Sequence, residues 1–408
     1  MTDQWFSLFV PGRIEVLGKH TDYCGGRSIV CAVEQGFRIQ FAANPQLLGV
    51  RIERTEGDPT VATAVSETMT LDWRSPAVPA GWWKYPHAVL QRVSENFRSR
   101  PLIGVDVRFS SNLPPAAGLS SSSALMIALF LAISKANALE TFPEFQENIG
   151  NRNDLVEYLG CIENGRSFHK LQGDCGVGTF GGSQDHAAIL LGRRGYLSEV
   201  AFAPLRLETE FAMPQDLCFA VATSGVAAEK TGAARAAYNR CSLMVEELVQ
   251  RWPGTEQTLW AILRRVGVDE LTVFIRRNAF TFTTSDLIDR VQQFWIESEE
   301  IIPAVRDRLV RGEFDQIGSL VDRSQHNSER LLRNQIPETI FLQACARRQG
   351  AVASSAFGAG FGGSVYAIVE QSSADAFLQS WRDEYLREFP ERCQTATFFT
   401  TRPAEAMA

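Results

Sequence analysis

A loop of small residues that runs directly into an apolar helix is the feature that most restricts the fold of this 408-residue chain. Residues 114–123 read Pro-Pro-Ala-Ala-Gly-Leu-Ser-Ser-Ser-Ser, and an apolar stretch follows over residues 124–133. Without bulky side chains, the loop backbone can close around an anion at the positive N-terminal end of the helix. The loop therefore predicts a phosphate site, although a serine cluster taken alone is also typical of a helix N-cap.

Length and charge restrict the class of protein. The chain is longer than one hydrophobic core usually fills, and its 45% apolar and 21% charged residues are ordinary for a globular protein, so we expect two domains, residues 1–200 and 201–408. A net charge of −7 without a basic run argues against nucleic-acid and membrane-surface partners. The chain shows no cationic leader, no apolar stretch long enough to span a bilayer and no zinc-ligand spacing. We expect a cytoplasmic protein.

The apolar pattern predicts a mixed chain of helices and strands. The predicted strands are residues 28–33, 37–41, 50–53, 105–109, 217–222 and 364–370. The predicted helices are residues 84–98, 120–137, 152–168, 227–251, 256–266, 284–311, 313–332, 336–348 and 374–388, and Ser373 is placed to cap the last of them.

Two further glycine-rich segments resemble nucleotide motifs without matching them. Residues 12–20 resemble a Walker A loop, but five residues rather than four separate Gly12 from Gly18, and His20 stands where a metal-binding hydroxyl is required. Residues 358–363 satisfy Gly-x-Gly-x-x-Gly, but a β-branched strand follows instead of the helix of a dinucleotide site. Alone, the last segment would be interpreted as a turn.

Taken together, the three segments resemble the ordered motifs of the GHMP kinases, the family that includes galactokinase, homoserine kinase and mevalonate kinase. Residues 11–26 resemble the galactokinase signature, 113–125 the phosphate loop and 358–364 the C-terminal glycine motif; residues 223–240 and 324–332 also favour the galactokinase branch. The resemblance covers nearly the whole chain. It implies an α+β, two-domain fold, with an N-terminal ribosomal-protein-S5-like domain, a C-terminal ferredoxin-like domain and the active site in the cleft between them.

The resemblance implies ATP and Mg²⁺ as cofactors. The residues expected at the nucleotide are Pro115, Ala116, Ala117, Gly118, Leu119, Ser120, Ser121, Ser122 and Ser123, with Gly360 and Gly362 from the last motif. Ser122 and Glu163 are the expected metal ligands, because Mg²⁺ takes a hydroxyl and a carboxylate in such sites. The run of four serines leaves Ser121 and Ser123 open. The adenine pocket falls in the region of three tryptophans, for which core packing is the alternative: Trp73, Trp82 and Trp83.

Asp185 matches the catalytic aspartate of galactokinases, and Arg13 matches the arginine beside it. A sugar hydroxyl needs a proton acceptor within hydrogen-bond reach, and the guanidinium would keep Asp185 ionised and stabilise transition-state charge. Outside this context an Asp between such neighbours is more often a turn residue. The approach, residues 165–182, is longer than in typical galactokinases and contains Asp174, a second candidate for the base.

The resemblance implies a sugar site formed by Lys19, His20, Asp22 and Tyr238. At Lys19 the family has a glutamate that accepts a hydrogen bond from the C6 hydroxyl, whereas an ammonium only donates. A cation buried in the pocket favours a substrate with a C6 carboxylate. The alternative is that Lys19 turns to solvent and the pocket admits a neutral hexose or a pentose.

The sequence thus predicts an ATP-dependent kinase for the anomeric hydroxyl of galactose or a related sugar or sugar acid. Two alternatives stay open: a catalytically silent galactokinase-like sugar sensor, and a GHMP kinase for a non-sugar alcohol, which the run from His20 to Asp22 disfavours. The complete set of Arg13, Glu163 and Asp185 favours catalysis. The sequence does not indicate an oligomeric state.

Overall fold

The computed structural model describes residues 4–60, 64–74, 77–114, 117–227 and 232–407, so Pro115 and Ala116 of the phosphate loop lie outside the described residues. The strands are Phe6–Leu17 (β1), Arg27–Asn44 (β2), Gly49–Thr55 (β3), Val65–Asp72 (β4), Gly104–Ser111 (β5), Tyr196–Phe202 (β6), Leu205–Ala212 (β7), Leu217–Thr223 (β8), Ala353–Phe357 (β9), Ser364–Glu370 (β10) and Phe398–Thr401 (β11). The helices are Lys84–Asn96 (α1), Ser121–Asn137 (α2), Pro143–Asn148 (α3), Arg152–Asn164 (α4), Gln184–Leu191 (α5), Gly232–Arg251 (α6), Leu259–Arg277 (α7), Thr284–Trp295 (α8), Ile302–Val310 (α9), Gly318–Asn327 (α10), Pro337–Arg348 (α11) and Ala374–Glu388 (α12).

The first sheet has seven strands in the order β4-β3-β5-β2-β6-β7, with β1 paired to β2. The long strand β2 pairs with β1, β5 and β6, and all pairs are antiparallel except β3 with β5. Helix α2 contacts β1 and β2 as well as α1, α4 and α5. Because it is enclosed in this way, α2 is apolar around most of its circumference, as a core helix should be.

The second sheet has the order β11-β8-β10-β9 with every pair antiparallel, and α11 and α12 pack against it. A strand, a helical segment, two strands, a helix and a last strand in this order form the ferredoxin-like arrangement. The main hydrophobic core runs continuously from the first sheet to Phe219 and Tyr366 of the second. The predicted α+β fold with two sheet domains is confirmed.

The two sheets meet later in the sequence than the domain boundary predicted at residue 200. Strands β6 and β7 pair with each other, and β6 also pairs with β2, so the first sheet continues to Ala212. The second sheet begins with Leu217. A boundary at residue 200 would cut through β6 and break its ladder of backbone hydrogen bonds, so the boundary defined by the sheets lies between Ala212 and Leu217.

Most predicted elements are present, with differences that have local causes. Two predicted strands are the halves of β2, and α4 ends at Asn164 because Gly165 adopts a left-handed conformation (φ +84°). The helix predicted over 256–266 continues to Arg277 past an interruption at Gly267 (φ +78°). The helix cap predicted at Ser373 is wrong. The Ser373 hydroxyl donates to the carbonyl of Glu370 and accepts no hydrogen bond from the backbone N–H groups in the first turn of α12.

Within the described ranges, no helix is both long and apolar enough to cross a membrane.

Candidate active site

The candidate site is a pocket with an empty volume of about 540 Å³, part of which is open to solvent. Strand β1, the end of α4 and the start of α5 supply side chains from the first sheet domain, and the turn between β9 and β10 reaches it from the second. The N-terminus of α2 lies beside the pocket, because Ser123 in its first turn hydrogen-bonds to the pocket residue Glu163. The site therefore lies between the two sheets, where the family resemblance implied it.

The start of α2 has the form of an anion site. Gly118 and Ser120 adopt left-handed conformations (φ +76° and +58°), which bends the backbone sharply just before the helix. Ser120 occupies the N-cap position, but its side chain makes no capping hydrogen bond. The interpretation of the serines as a simple N-cap is therefore wrong for Ser120, whose hydroxyl leaves the first-turn N–H groups to another acceptor.

The turn between β9 and β10 packs directly on this loop. A Cβ added to Gly118 would lie 3.3 Å from the carbonyl oxygen of Phe357, and one added to Gly358 would lie 3.1 Å from that of Gly118. The hydroxyl of Ser364 donates to the carbonyl of Ala117. The C-terminal glycine motif thus packs against the predicted phosphate loop, and Gly358 and Gly118, one on each side, allow the two backbones to approach closely.

The rest of the glycine motif is held by backbone geometry. Gly360 and Gly362 have φ values of +82° and +131°, and a Cβ on Gly360 would lie 2.3 Å from the carbonyl oxygen of Asn334. Phe357 is buried in the core below the turn. Phe361 is half-buried with a φ of +58°, and its backbone N–H donates to the Asn334 carbonyl.

Arg13 and Asp185 form the central ion pair of the pocket. The Nε and Nη2 atoms of Arg13 each lie 2.7 Å from Oδ1 of Asp185, and its Nη1 donates to the carbonyl of Gly118. Arg13 is 4% exposed, whereas the Asp185 side chain keeps 19% of its surface exposed to the pocket. One guanidinium therefore ties the predicted base to the predicted phosphate loop, and leaves the base accessible.

Glu163 lies next to this pair through a serine hydroxyl. Ser123 Oγ donates to Glu163 Oε2 at 2.7 Å and lies 3.4 Å from Asp185 Oδ2, and His186 Nε2 is 3.6 Å from the same Glu163 oxygen. Ser123 is fully buried, while Ser122 is half-buried at the opening of the helix. The structure thus brings Ser123 to Glu163, and the metal ligand predicted at Ser122 stays a prediction.

The residues predicted to bind the sugar, other than Lys19, lie together in the pocket. His20 has a φ of +59°, its Nδ1 lies 2.8 Å from the Tyr23 hydroxyl, and its ring packs against Tyr238 with centroids 5.2 Å apart. Asp22 accepts a hydrogen bond from the backbone N–H of Gln184 at 3.3 Å, and burial raises the pKa of its carboxyl. His20, Asp22 and Tyr238 all line the pocket.

The comparisons with known proteins agree with this arrangement. Three family models match: the galactokinase galactose-binding signature over residues 2–43, the GHMP kinases N terminal domain over residues 84–193 and the GHMP kinases C terminal over residues 303–387. The chain belongs to the GHMP kinases, in their galactokinase-like branch. The family predicted from the three glycine-rich segments is confirmed.

Similar proteins cover almost the full length of this GHMP kinase. Galactokinase of Exiguobacterium sibiricum is 25% identical over 96% of this chain and 91% of its own, and galactokinase of Thermotoga maritima is 25% identical over 93% of both chains. The crystal structure of Lactococcus lactis galactokinase complexed with galactose has a TM-score of 0.74 at 20% identity, covering 99% of this chain and 95% of that one. That likeness shows the shared fold.

Lys19 differs from both interpretations that the sequence offered. Its side chain is fully buried and its Nζ donates to Ser355 Oγ on β9 at 2.8 Å, and Ser355 in turn donates to Gln325 Oε1 at 3.0 Å. Lys19 is not part of the described lining of the pocket. The turn to solvent is wrong, because the side chain points across the domain contact into the second sheet, and the predicted sugar contact of Lys19 stays a prediction that this position does not favour.

Glu15 is a charged pocket residue that the sequence interpretation missed in this GHMP kinase. It is 2% exposed, lines the pocket, and its Oε1 has no hydrogen-bond partner among the described residues. Burial raises the pKa of its carboxyl to about 7, against the opposing effect of the positive charges of Lys19 and Arg13. The signal was present: Glu15 is two residues from Arg13 on β1, and alternate residues of a strand share a face.

The approach to Asp185 is held by both domains. The side-chain amide of Asn239 accepts from the N–H of Phe180 at 3.1 Å and donates to the carbonyl of Gly178 at 3.0 Å. Asp174 instead lies 3.4 Å from Nη1 of the buried Arg92 and is not part of the described pocket lining. As a candidate base Asp174 is wrong, because its carboxylate is directed to a structural cation.

The three tryptophans of the region predicted to hold adenine pack against the protein core, and two of them stack on each other. The rings of Trp82 and Trp83 stack with centroids 3.8 Å apart, and both indole N–H groups donate to Glu67 at 3.2 and 2.8 Å. Trp83 is buried, and Trp73 and Trp82 are partly buried against the core. This favours the core-packing alternative for all three.

Proposed function

We propose that this GHMP kinase transfers the γ-phosphate of ATP to the anomeric hydroxyl of galactose or a closely related neutral sugar. The observation that carries the proposal is the contact of Arg13 with both Asp185 and the carbonyl of Gly118. It joins a proton acceptor in the sugar pocket to the loop that would hold the phosphates. The galactose-binding signature and the galactokinases among its relatives support the same choice of substrate.

The chemistry that follows is alignment with little covalent participation by the protein. The first-turn N–H groups of α2 hold the phosphates, and Asp185 accepts the proton of the attacking hydroxyl, since a neutral hydroxyl is a weak nucleophile. Arg13 lies between them and stabilises the charge that develops on the transferred group. His20, Asp22 and Tyr238 would fix the orientation of the sugar from the pocket wall.

Magnesium suits the oxygen groups at the start of α2. Glu163 offers a carboxylate, and Ser122 or Ser123 a hydroxyl, which are ligands that Mg²⁺ takes alongside nucleotide phosphates. When bound, the ion would neutralise phosphate charge during transfer. The variants Ser122→Ala and Ser123→Ala distinguish the two candidate ligands. The Mg²⁺ concentration that gives half the maximal rate should rise in the variant that lacks the ligand and stay near the wild-type value in the other.

The arrangement of charges disfavours a sugar acid as the substrate. The predicted preference for a C6 carboxylate rested on Lys19 in the pocket, whereas its ammonium is buried behind the pocket wall. The pocket presents the carboxylates of Glu15, Asp22 and Asp185 instead. A neutral sugar hydroxyl can donate to these groups, while a substrate carboxylate would face like charges.

A coupled assay of ADP release tests the function directly. Purified protein should phosphorylate galactose, and Asp185→Asn should lower the rate on the order of 10²- to 10⁴-fold by removing the proton acceptor. Asp174→Asn is the matched control, because its carboxylate pairs with Arg92 at 3.4 Å, and it should keep wild-type kcat. Full activity in a folded Asp185→Asn protein refutes the base assignment. A folded wild type that binds galactose without releasing ADP is a sugar sensor.

A further inference from the structure

We propose that Glu15 is a sugar-binding residue whose free carboxylate oxygen accepts a hydrogen bond from a substrate hydroxyl and selects neutral sugars over sugar acids. The inference rests on the proposed function, because it names a specificity-determining residue for that reaction. It concerns a position of β1 that neither the motif interpretation nor the family comparisons assign.

The position of Glu15 makes its side chain a pocket group. Arg13 and Glu15 are alternate residues of β1, so both face the pocket, and Arg13 is already committed to Asp185. Glu15 Oε1 is fully enclosed, yet no described group donates a hydrogen bond to it. A buried acceptor without a donor is costly, and the cost is relieved when a ligand supplies the donor. A sugar hydroxyl is a donor of the right kind.

The charges around Glu15 explain why a buried carboxylate is tolerated there. Lys19 and Arg13 favour its ionised form, while Glu297 and Asp185 oppose it. Lys19 is held away from the pocket by Ser355, so it acts as a fixed positive charge behind the carboxylate and not as a substrate contact. The unusual cation at position 19 is thus compensated within the chain, and it requires no anionic substrate.

The selectivity follows from the same geometry. Glu15 presents an acceptor to the pocket, and Asp22, Glu163 and Asp185 add three more carboxylates, against one guanidinium, that of Arg13, in the described lining. A sugar hydroxyl that donates to the Glu15 carboxylate forms a charge-assisted hydrogen bond. A sugar carboxylate placed there would meet a like charge and leave Glu15 without its donor.

The test measures kcat/KM for galactose, for each monodeoxygalactose and for galacturonate, in wild type, Glu15→Gln and Glu15→Leu. In wild type, one deoxy sugar should be poorer than galactose on the order of 10- to 100-fold, mainly through KM, because it leaves Glu15 unpaired. In Glu15→Leu that ratio should fall towards one, while the ratios for the other deoxy sugars stay unchanged. Glu15→Gln keeps a carbonyl acceptor and should keep most of the ratio. Glu15→Gln should also raise kcat/KM for galacturonate, relative to that for galactose, several-fold.

A merely structural role predicts a different result. Loss of packing would lower kcat/KM for every sugar by the same factor and leave all ratios at their wild-type values, which would overturn the proposal. Glu199→Gln is the control, since Glu199 is an equally buried acid outside the described pocket lining; its ratios should match wild type. If Glu15→Leu does not fold, an unchanged galacturonate ratio in Glu15→Gln overturns charge selection.

Failure of the kinase function itself is distinguishable from failure of this proposal. If wild type releases no ADP with any sugar, calorimetric binding of galactose and the deoxy sugars to the same variants replaces kcat/KM. The loss of discrimination in Glu15→Leu is then expected in the dissociation constants. Equal discrimination by wild type and Glu15→Leu in binding refutes the role of Glu15 whether or not the protein is a kinase.

Discussion

Replacing Glu15 by glutamine should stabilise the folded protein at neutral and alkaline pH and have little effect near pH 4.5. Burial raises the pKa of this carboxyl from 4.5 to about 7 in the folded state, mainly because the ionised form loses its water. The folded state therefore binds the proton more tightly than the unfolded state. The stability that Glu15 contributes is fully present below the unfolded pKa and is lost as the pH rises through about 7.

The magnitude follows from the two pKa values. A rise from 4.5 to about 7, at about 1.4 kcal/mol for each pH unit, makes ionisation of Glu15 cost about 3 kcal/mol in the folded protein. Glutamine resembles the protonated acid and never ionises. Glu15→Gln should therefore be more stable than wild type by up to about 3 kcal/mol near pH 8, with the difference shrinking towards zero near pH 4.5.

Urea unfolding of both proteins at matched pH values measures this difference. Subtracting the two free energies of unfolding at each pH removes groups common to both proteins, including Glu199, whose pKa burial also raises to about 7. Glu391→Gln is the control for the substitution itself, because the Glu391 side chain is 57% exposed, and its effect should stay within about 0.5 kcal/mol. A difference that is flat with pH, or a variant less stable than wild type near pH 8, contradicts the reasoning.

Two other substitutions test the supports of the site. Gly360→Ala should lower the activity and should lower the free energy of unfolding by about 1 to 3 kcal/mol. The reason is that the residue has a φ of +82° and the new Cβ would lie 2.3 Å from the Asn334 carbonyl oxygen. A variant with the unfolding midpoint of wild type would refute this. Arg290→Lys should raise the KM for the sugar more than it lowers kcat. The buried guanidinium donates to the His20 carbonyl and to the Tyr23 hydroxyl at 3.2 Å, and an ammonium cannot reproduce this planar arrangement of donors. Steady-state kinetics with galactose check the second prediction, and an unchanged KM speaks against it.

Features that depend on a short segment of the chain are the ones that the sequence predicts most directly. The phosphate loop is readable because small residues before an apolar helix create an anion site whatever the rest of the chain does. Arg13 and Asp185 lie 172 positions apart, and the resemblance supplied their pairing before the structure showed the 2.7 Å contact. The helices α1 and α12 were readable from their apolar period, and α2 from its continuous apolar stretch.

The errors share a different cause, which is the direction of a side chain. The three consecutive serines on α2 point in directions about 100° apart, so sequence does not say which of Ser122 and Ser123 faces Glu163. Asp174 and Asp185 flank the same glycine-rich stretch, and only the position of Arg92 shows that the first is committed elsewhere. The end of the first sheet at Ala212 lies beyond the boundary predicted at residue 200, because strand pairing, which composition does not show, decides where the sheet ends.

The sequence by itself determined the family and the two-domain fold, and it predicted the nucleotide loop and the pair of Arg13 and Asp185, since these depend on short segments with recognisable motifs. Only the tertiary structure decided what Lys19 and Glu15 do. Both are charged residues in one glycine-rich segment, and the choice between pocket and core depends on which groups the second sheet brings near. The second sheet places Ser355 against Lys19, so the ammonium is buried there. The carboxylate of Glu15 lines the pocket instead.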